Sequence, residues 1–84
     1  MLLLAVRIHY GFGLDGLEFM YQDKSVHLFG KTGQQASTFT LDTRNGETIS
    51  GFYIRAGVWI DGVEILTSLG RRSGVFGNAT GGSG

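Results

Sequence analysis

Apolar and polar residues alternate along much of this chain, and the alternation has a period of two, as expected where one face of a strand is buried. Val6, Ile8 and Tyr10 alternate with Arg7 and His9, inside an opening stretch from Leu2 to Tyr10 that reads as a strand. Leu17, Phe19 and Tyr21 alternate with Glu18 and Met20. "QDKS" then reads as a turn, and Val26, Leu28 and Phe29 as a short strand. Gly30 to Ser37, "GKTGQQAS", reads as a loop and Thr38 to Asp42 as a strand. "TRNGE" is a turn centred on Asn45-Gly46, a pair that accepts left-handed backbone. Ile49–Ala56 and Trp59–Thr67 are expected as strands, "SLGRRSG" as a loop, "VFG" as a short strand and "NATGGSG" as a glycine-rich ending. No window of about a dozen residues keeps apolar positions at helical spacing without a glycine interrupting it. The fold class expected is all-β.

Composition agrees. Fifteen glycines, no proline, six Phe, three Tyr and one Trp suit short strands joined by tight turns. With 84 residues the chain holds one domain at most. Seven basic and seven acidic side chains balance, so the basic footprint of a nucleic-acid binder is missing. The adjacent pair Arg71-Arg72 reads as a solvated turn. Cysteine is absent, which excludes disulfides and thiolate metal sites. "MLLLAV" is cut short by Arg7 and lacks the layout of a secretory signal, which tilts the expected location towards the cytoplasm. No stretch has the length of a membrane span.

The chain resembles itself. Val6–Tyr21, "VRIHYGFGLDGLEFMY", aligns with Phe52–Thr67, "FYIRAGVWIDGVEILT", so that Ile8 meets Ile54, Gly11 meets Gly57, Asp15 meets Asp61, Gly16 meets Gly62 and Glu18 meets Glu64. One residue later in register, Phe29-Gly30 meets Phe76-Gly77. Each copy reads as two long strands joined at a Gly-x-x-(Leu/Ile)-Asp-Gly corner, then a short strand ending in Phe-Gly. Repeats of this length suggest four-stranded units around an axis, as in propellers or prisms. The chain is expected to be one domain over residues 1–84, with units at about 6–51 and 52–84.

Gly-x-x-x-Asp leading into an apolar strand, then "TSLGR" and "VFGNATGG", resembles the jacalin-related lectins. "GVWIDGVEILTSLGRRSGVFGNATGGSG" is similar to the later part of such a domain, and "ETISGFYIRAG" to the strand before it. The resemblance implies a β-prism I fold of Greek-key sheets around a pseudo-threefold axis. It also implies carbohydrate binding without catalysis or cofactor. The family has three units and this chain under two, so it is expected to be a fragment, a short form, or a prism completed by oligomerisation or strand exchange.

Carried over residue by residue, the resemblance implies two candidate sites. The primary one sets Gly57, Val58, Trp59, Ile60 and Asp61 opposite Gly81 and Gly82. The secondary one sets Gly11, Phe12, Gly13, Leu14 and Asp15 opposite Gly33 and Gln34, and departs from the pattern because Gln34-Gln35 replaces a glycine pair. The chemistry suits a hexose. An ionised aspartate accepts two hydrogen bonds from vicinal hydroxyls, glycine backbone N–H groups approach closely, and Trp59 or Phe12 offers an apolar face to the sugar's C–H side. A mannose/glucose-type, non-enzymatic lectin acting as a homo-oligomer is the resulting expectation; a prism that serves as an interaction module without sugar is the alternative.

Other readings carry less. Asp15 and Asp61 each precede glycine and suit ordinary turns. Glu18 and Glu64 recur at matching places and could pair for glycoside hydrolysis, but their outward phase reads as a solvated face. His9 and His27, the only histidines, read as surface or sheet positions rather than metal ligands. Asn78-Ala79-Thr80 fits the N-glycosylation pattern.

Overall fold

A computed structural model describes residues 2–77. Seven strands form: β1 (Leu3–Tyr10), β2 (Leu14–Tyr21), β3 (Val26–Gly30), β4 (Gln35–Thr40), β5 (Ile49–Ala56), β6 (Ile60–Thr67) and β7 (Arg72–Gly77). A single 3-10 turn, Thr43–Asn45, bridges β4 and β5 and closes on Gly46 at φ +70°. Among the described residues no helix is long and apolar enough to cross a membrane.

The first sheet has the order β3-β2-β1-β4, all antiparallel. Three successive strands and a fourth that returns beside the first make a Greek key. The second sheet has the order β5-β6-β7. Alternation sets the faces. Val6 and Ile8 lie opposite Phe19 and Leu17, and Val63 and Ile65 lie opposite Ile54 and Phe52. Val6, Ile8, Val63 and Ile65 are fully buried in one cluster between the sheets. Burial of each such side chain contributes roughly 1.5–3 kcal/mol. Tyr10 and Phe76, with ring centroids 5.9 Å apart, close the seam. Phe52 and Ile54 share the inner face of the second sheet, yet are 40% and 54% exposed.

Several expectations need correction. The loop from Gly30 to Ser37 is shorter, because β4 starts at Gln35 and ends at Thr40 rather than Asp42. Pairing with β1, from Tyr10↔Gln35 onward, extends the strand into a polar stretch that has no apolar signature of its own. Arg71 lies exposed in its turn, as expected, but does more than face solvent. Its guanidinium forks onto the buried Glu47 carboxylate, Nε to Oε2 at 2.9 Å and Nη2 to Oε1 at 2.6 Å. Glu47 also accepts from the Thr67 hydroxyl (2.5 Å) and the Asp42 N–H (2.8 Å). Arg71 further donates to the Thr40 carbonyl at 2.8 Å and stacks 4.6 Å over the Phe39 ring, both on the first sheet. One arginine thus ties the two sheets through a buried carboxylate. That set of partners, Arg71 foremost, holds the Glu47 pKa down at about 2.

Glu64 does not lie on a solvated face. It is buried and accepts from Arg72 (2.9 Å) and from the Gly74 N–H (3.1 Å). Glu18 keeps the outward phase but is only partly exposed, and it pairs with His9 at 3.0 Å. His9 is itself buried in the sheet, since β1 is flanked by strands on both sides. His27, on the edge strand, stacks on Phe29 at 4.4 Å.

Candidate functional site

The two corners singled out in the sequence, residues 11–13 and 57–59, are built the same way. Gly11 N–H donates to the Gly13 carbonyl at 3.0 Å, and Gly57 N–H to the Trp59 carbonyl at 2.9 Å. Each corner is followed by a register shift. His9 faces Gly16 while Tyr10 faces Leu14, which leaves Asp15 as the extra residue; Arg55 faces Gly62 while Ala56 faces Ile60, which leaves Asp61. A bulge of this kind bends the strand and re-aims a side chain. Further along, Gly16 pairs with Gly30 and Gly62 with Gly77. Gly30 (φ +83°) and Gly77 (φ +97°) are both left-handed, and each presses against the carbonyl of the corner aspartate, Asp15 and Asp61 respectively. A side chain has no room there and no allowed backbone. These glycines hold the corners shut.

The two aspartates nevertheless end in different surroundings. Asp61 is fully buried. Asp15 is half-buried and reaches an open cleft of about 540 Å³. Its Oδ2 lies where a Gly33 side chain would be. A methyl on Gly33 would also stand 2.9 Å from the Tyr10 nitrogen and 3.0 Å from its carbonyl oxygen. On the other side, a methyl on Gly11 would be 3.7 Å from Asp15 Oδ2 and 3.5 Å from Gln34 Oε1. The carboxylate therefore sits between two bare stretches of backbone, with the Gln34 amide beside it.

Gly11, Phe12, Gly13, Asp15, Gly33 and Gln34, all named from the sequence as the secondary site, line this one cleft. Leu14 does not; it packs against the core. Of the primary site, Trp59 lines the same cleft, contributed by the other sheet's corner. Gly57, Val58 and Ile60 are exposed on that corner. Gly81 and Gly82, and the Asn78–Thr80 acceptor pattern, lie outside the described residues. Lys31 and Thr32 complete the lining and were not named from the sequence. The available signal was their place in the loop that brings Gly33 across from the corner. Lys31 N–H also donates to the Asp15 carbonyl at 3.2 Å, which fixes that loop against the bulge. Among the described residues no group of three His, Cys, Asp or Glu side chains is placed to hold a metal ion.

What this arrangement offers is a carboxylate acceptor, backbone unobstructed by side chains, an amide, an ammonium and two aromatic rings around one opening. These are groups that recognise hydroxyls and the apolar faces between them.

Comparison with known proteins is consistent with that inventory. Residues 3–83 match the family described as Jacalin-like lectin domain. A Schizosaccharomyces pombe protein, named provisionally as a zinc metalloproteinase, is 42% identical over 77 residues; the match takes in 92% of this chain and 12% of that protein. A Saccharomyces cerevisiae protein with the same provisional name is 32% identical over an alignment of 119 residues, covering 96% of this chain and 17% of its own length. The chain thus spans a small part of both curated relatives. Among solved structures, a prostate-specific WGA16 glycoprotein lectin superposes with a TM-score of 0.77 at 27% identity, over 94% of this chain and 56% of the lectin. Lamprey immune protein superposes with a TM-score of 0.66 at 19% identity, over 90% of this chain and 25% of that one, a likeness of fold.

Proposed function

The chain belongs to the Jacalin-like lectin domain family, and on that premise we propose that it binds a mannose- or glucose-type sugar, without catalysis, in the Asp15 cleft. The observation that carries this reading is the seat of the Asp15 carboxylate between Gly11 and Gly33 at the mouth of an open cleft. Two adjacent equatorial or axial hydroxyls donate to the two carboxylate oxygens. Backbone N–H groups of the Gly33-Gln34 turn reach a third oxygen, because Gly33 adds no side chain to stand in the way. Each carboxylate–hydroxyl bond is charge-assisted and so stronger than a neutral one. The buried Asp61 cannot offer its carboxylate to solvent in this arrangement, so the emphasis moves from the second corner to the first.

A single shallow site of this kind binds at about millimolar Kd, or roughly 4 kcal/mol. Assembly of several copies into a homo-oligomer multiplies it, and light scattering reads the copy number. The test of the site is Asp15→Asn, which keeps shape and removes charge. Calorimetric or NMR titration with methyl α-mannoside should lose at least tenfold in affinity while the spectrum stays folded. Unchanged affinity removes the proposed site.

A second reading has a specific observation behind it. The Gln34 side chain, with Oε1 beside the Gly11 backbone, occupies part of the space that a second glycine would leave open. If it bars the sugar, the module serves as a protein-interaction unit, and Gln34→Gly would create sugar binding where the natural chain shows none.

A further inference from the structure

Position for position β5 is the second copy of β1, but its surroundings differ. β1 is flanked by β2 and β4, whereas β5 pairs with β6 alone among the described residues and ends its sheet. The internal repeat sets Val6 against Phe52 and Ile8 against Ile54. Val6 and Ile8 are fully buried, while Phe52 and Ile54, on the matching inner face, stay exposed. Tyr53, between them on the other face, is exposed as well. Natural edge strands are usually blunted by proline, lysine or an inward-pointing charge. Residues 49–56, "ISGFYIRA", carry none of these, since their one charge, Arg55, shares the outer face with Tyr53. Among the described residues the backbone groups on the far side of β5 meet no strand, and an uncovered apolar strip runs beside them.

We infer that β5 is the contact strand of a homodimer: it pairs antiparallel with β5 of a second copy about a two-fold axis at Tyr53, so that two three-stranded sheets become one of six. The chemistry of the strand argues for its own copy as the occupant. Pairing about Tyr53 sets each residue opposite the one equally far beyond it. Phe52 meets the partner's Ile54, and Ile54 meets the partner's Phe52, so the apolar contact of the inner face is made twice. An axis at Phe52 or Ile54 would instead put one of these two side chains opposite Ser50 or Ala56. On the outer face Arg55 meets the partner's Gly51. A methyl on Gly51 would have nothing within 4 Å, so the guanidinium has room there. It already lies 5.9 Å from the centroid of its own Tyr53 ring. Across the axis the partner's Tyr53 is its diagonal neighbour, and a second ring face is presented to the same cation. Arg55 is the only charge on the strand and faces a glycine, so no like charges meet. A two-fold contact uses the edge once and closes. The corner at Gly57 follows β5 directly, so antiparallel pairing sends the two corners to opposite ends of the ribbon, about 25 Å apart at ~3.4 Å per residue. The dimer thus gives the homo-oligomer a surface, and it stands independently of what the Asp15 cleft binds.

The experiment is analytical sedimentation of the chain, without sugar, from about 1 µM to about 1 mM protein, on the natural sequence, Ile54→Lys and Tyr53→Cys. The expected result is a monomer–dimer equilibrium in the natural chain. Ile54→Lys puts an unpaired charge into the contact and should weaken the dimer at least about a hundredfold, with the amide spectrum still dispersed. Cysteine is absent from the natural chain, so mild oxidation of Tyr53→Cys reads the axis directly. Directly opposed residues have Cα atoms ~4.5–5.5 Å apart, within the ~4.4–6.8 Å that a disulfide spans. Tyr53→Cys should therefore become a covalent dimer, and Val26→Cys, exposed on the edge strand β3, should not. A natural chain that stays monomeric to about 1 mM, as it would if another segment of polypeptide covered β5, overturns the inference. So does a dimer that survives in folded Ile54→Lys, or growth beyond two copies. A dimer lost in Ile54→Lys but not cross-linked in Tyr53→Cys overturns the Tyr53 axis. Should Ile54→Lys not fold, Tyr53→Lys takes its place: it sets two like charges on the axis and must dissociate the dimer. Sugar is absent from every sample, so failure here leaves the Asp15 site standing, and failure of mannoside binding leaves the dimer standing.

Discussion

Asp15 Oδ2 occupies the place a side chain at Gly33 would take, so these two residues, far apart in sequence, define each other. The glycine is required by the carboxylate and not by its own backbone angles, since Gly33 is not among the left-handed glycines. Gly33→Ala should therefore displace Asp15, weaken mannoside binding at least as strongly as Asp15→Asn, and cost about 1–3 kcal/mol of stability by overpacking against Tyr10. Thermal melts and a sugar titration on one sample measure both.

The left-handed glycines separate into two classes that a substitution series can tell apart. Gly74 (φ +82°) has open space around it, so Gly74→Ala costs only the backbone strain, about 1–2 kcal/mol. Gly30 has a similar φ of +83° but also presses on the Asp15 carbonyl, so Gly30→Ala should cost about 1–3 kcal/mol more. Denaturant midpoints at fixed pH give the difference directly. Equal losses at the two positions would contradict the packing described for the corner.

The buried Glu47 gives stability a defined acid limb. Its folded pKa, about 2, lies below the ordinary 4.5, so the unfolded chain binds the proton more readily. The contribution of the Arg71–Glu47 fork is therefore fully present above about pH 4.5 and is lost as pH falls towards 2. Urea midpoints across that window should fall for the natural chain. Arg71→Lys, which keeps the charge and loses the fork, should start lower and fall less steeply.

Core truncation checks the seam between the sheets. Ile65 is fully buried between them, and Ile65→Ala should destabilise by about 2–5 kcal/mol without moving the cleft. Val58→Ala, at an exposed tip, should change stability by no more than about 0.5 kcal/mol.

Much of the fold was legible because apolar side chains recur with period two in β1, β2 and β6. Val6, Ile8, Leu17, Phe19, Val63 and Ile65 announce their faces by period two alone. β4 was shifted because its residues, "QASTFT", carry no such signal and are held by pairing with β1. Glu47 and Arg71 were missed for a related reason. Both sit in turns of ordinary polar composition, and only the return of β4 beside β1 brings Phe39 and Thr40 under the guanidinium. The motif "TSLGR" that marked the resemblance is explained by that clamp. Thr67 and Arg71 bind Glu47, and the Ser68 hydroxyl accepts from the Thr48 N–H at 3.0 Å, so these residues hold the fold and leave recognition to the corners.

The candidate site was legible as two matching corners, but not in its asymmetry. Asp15 and Asp61 each lie between a branched apolar residue and a glycine, and each is the extra residue of the same kind of bulge. Their difference in exposure comes from what packs against them in space. The participation of Trp59 in the first cleft likewise depends on the approach of the second corner to Gly13, which no local pattern encodes.

The most direct test of the central claim is an amide ¹H–¹⁵N spectrum of the chain titrated with methyl α-mannoside. Saturable movement confined to Gly11–Asp15 and Lys31–Gln34, abolished in Asp15→Asn, is the predicted result. A well-dispersed spectrum in which those resonances do not move with mannose or glucose would contradict it.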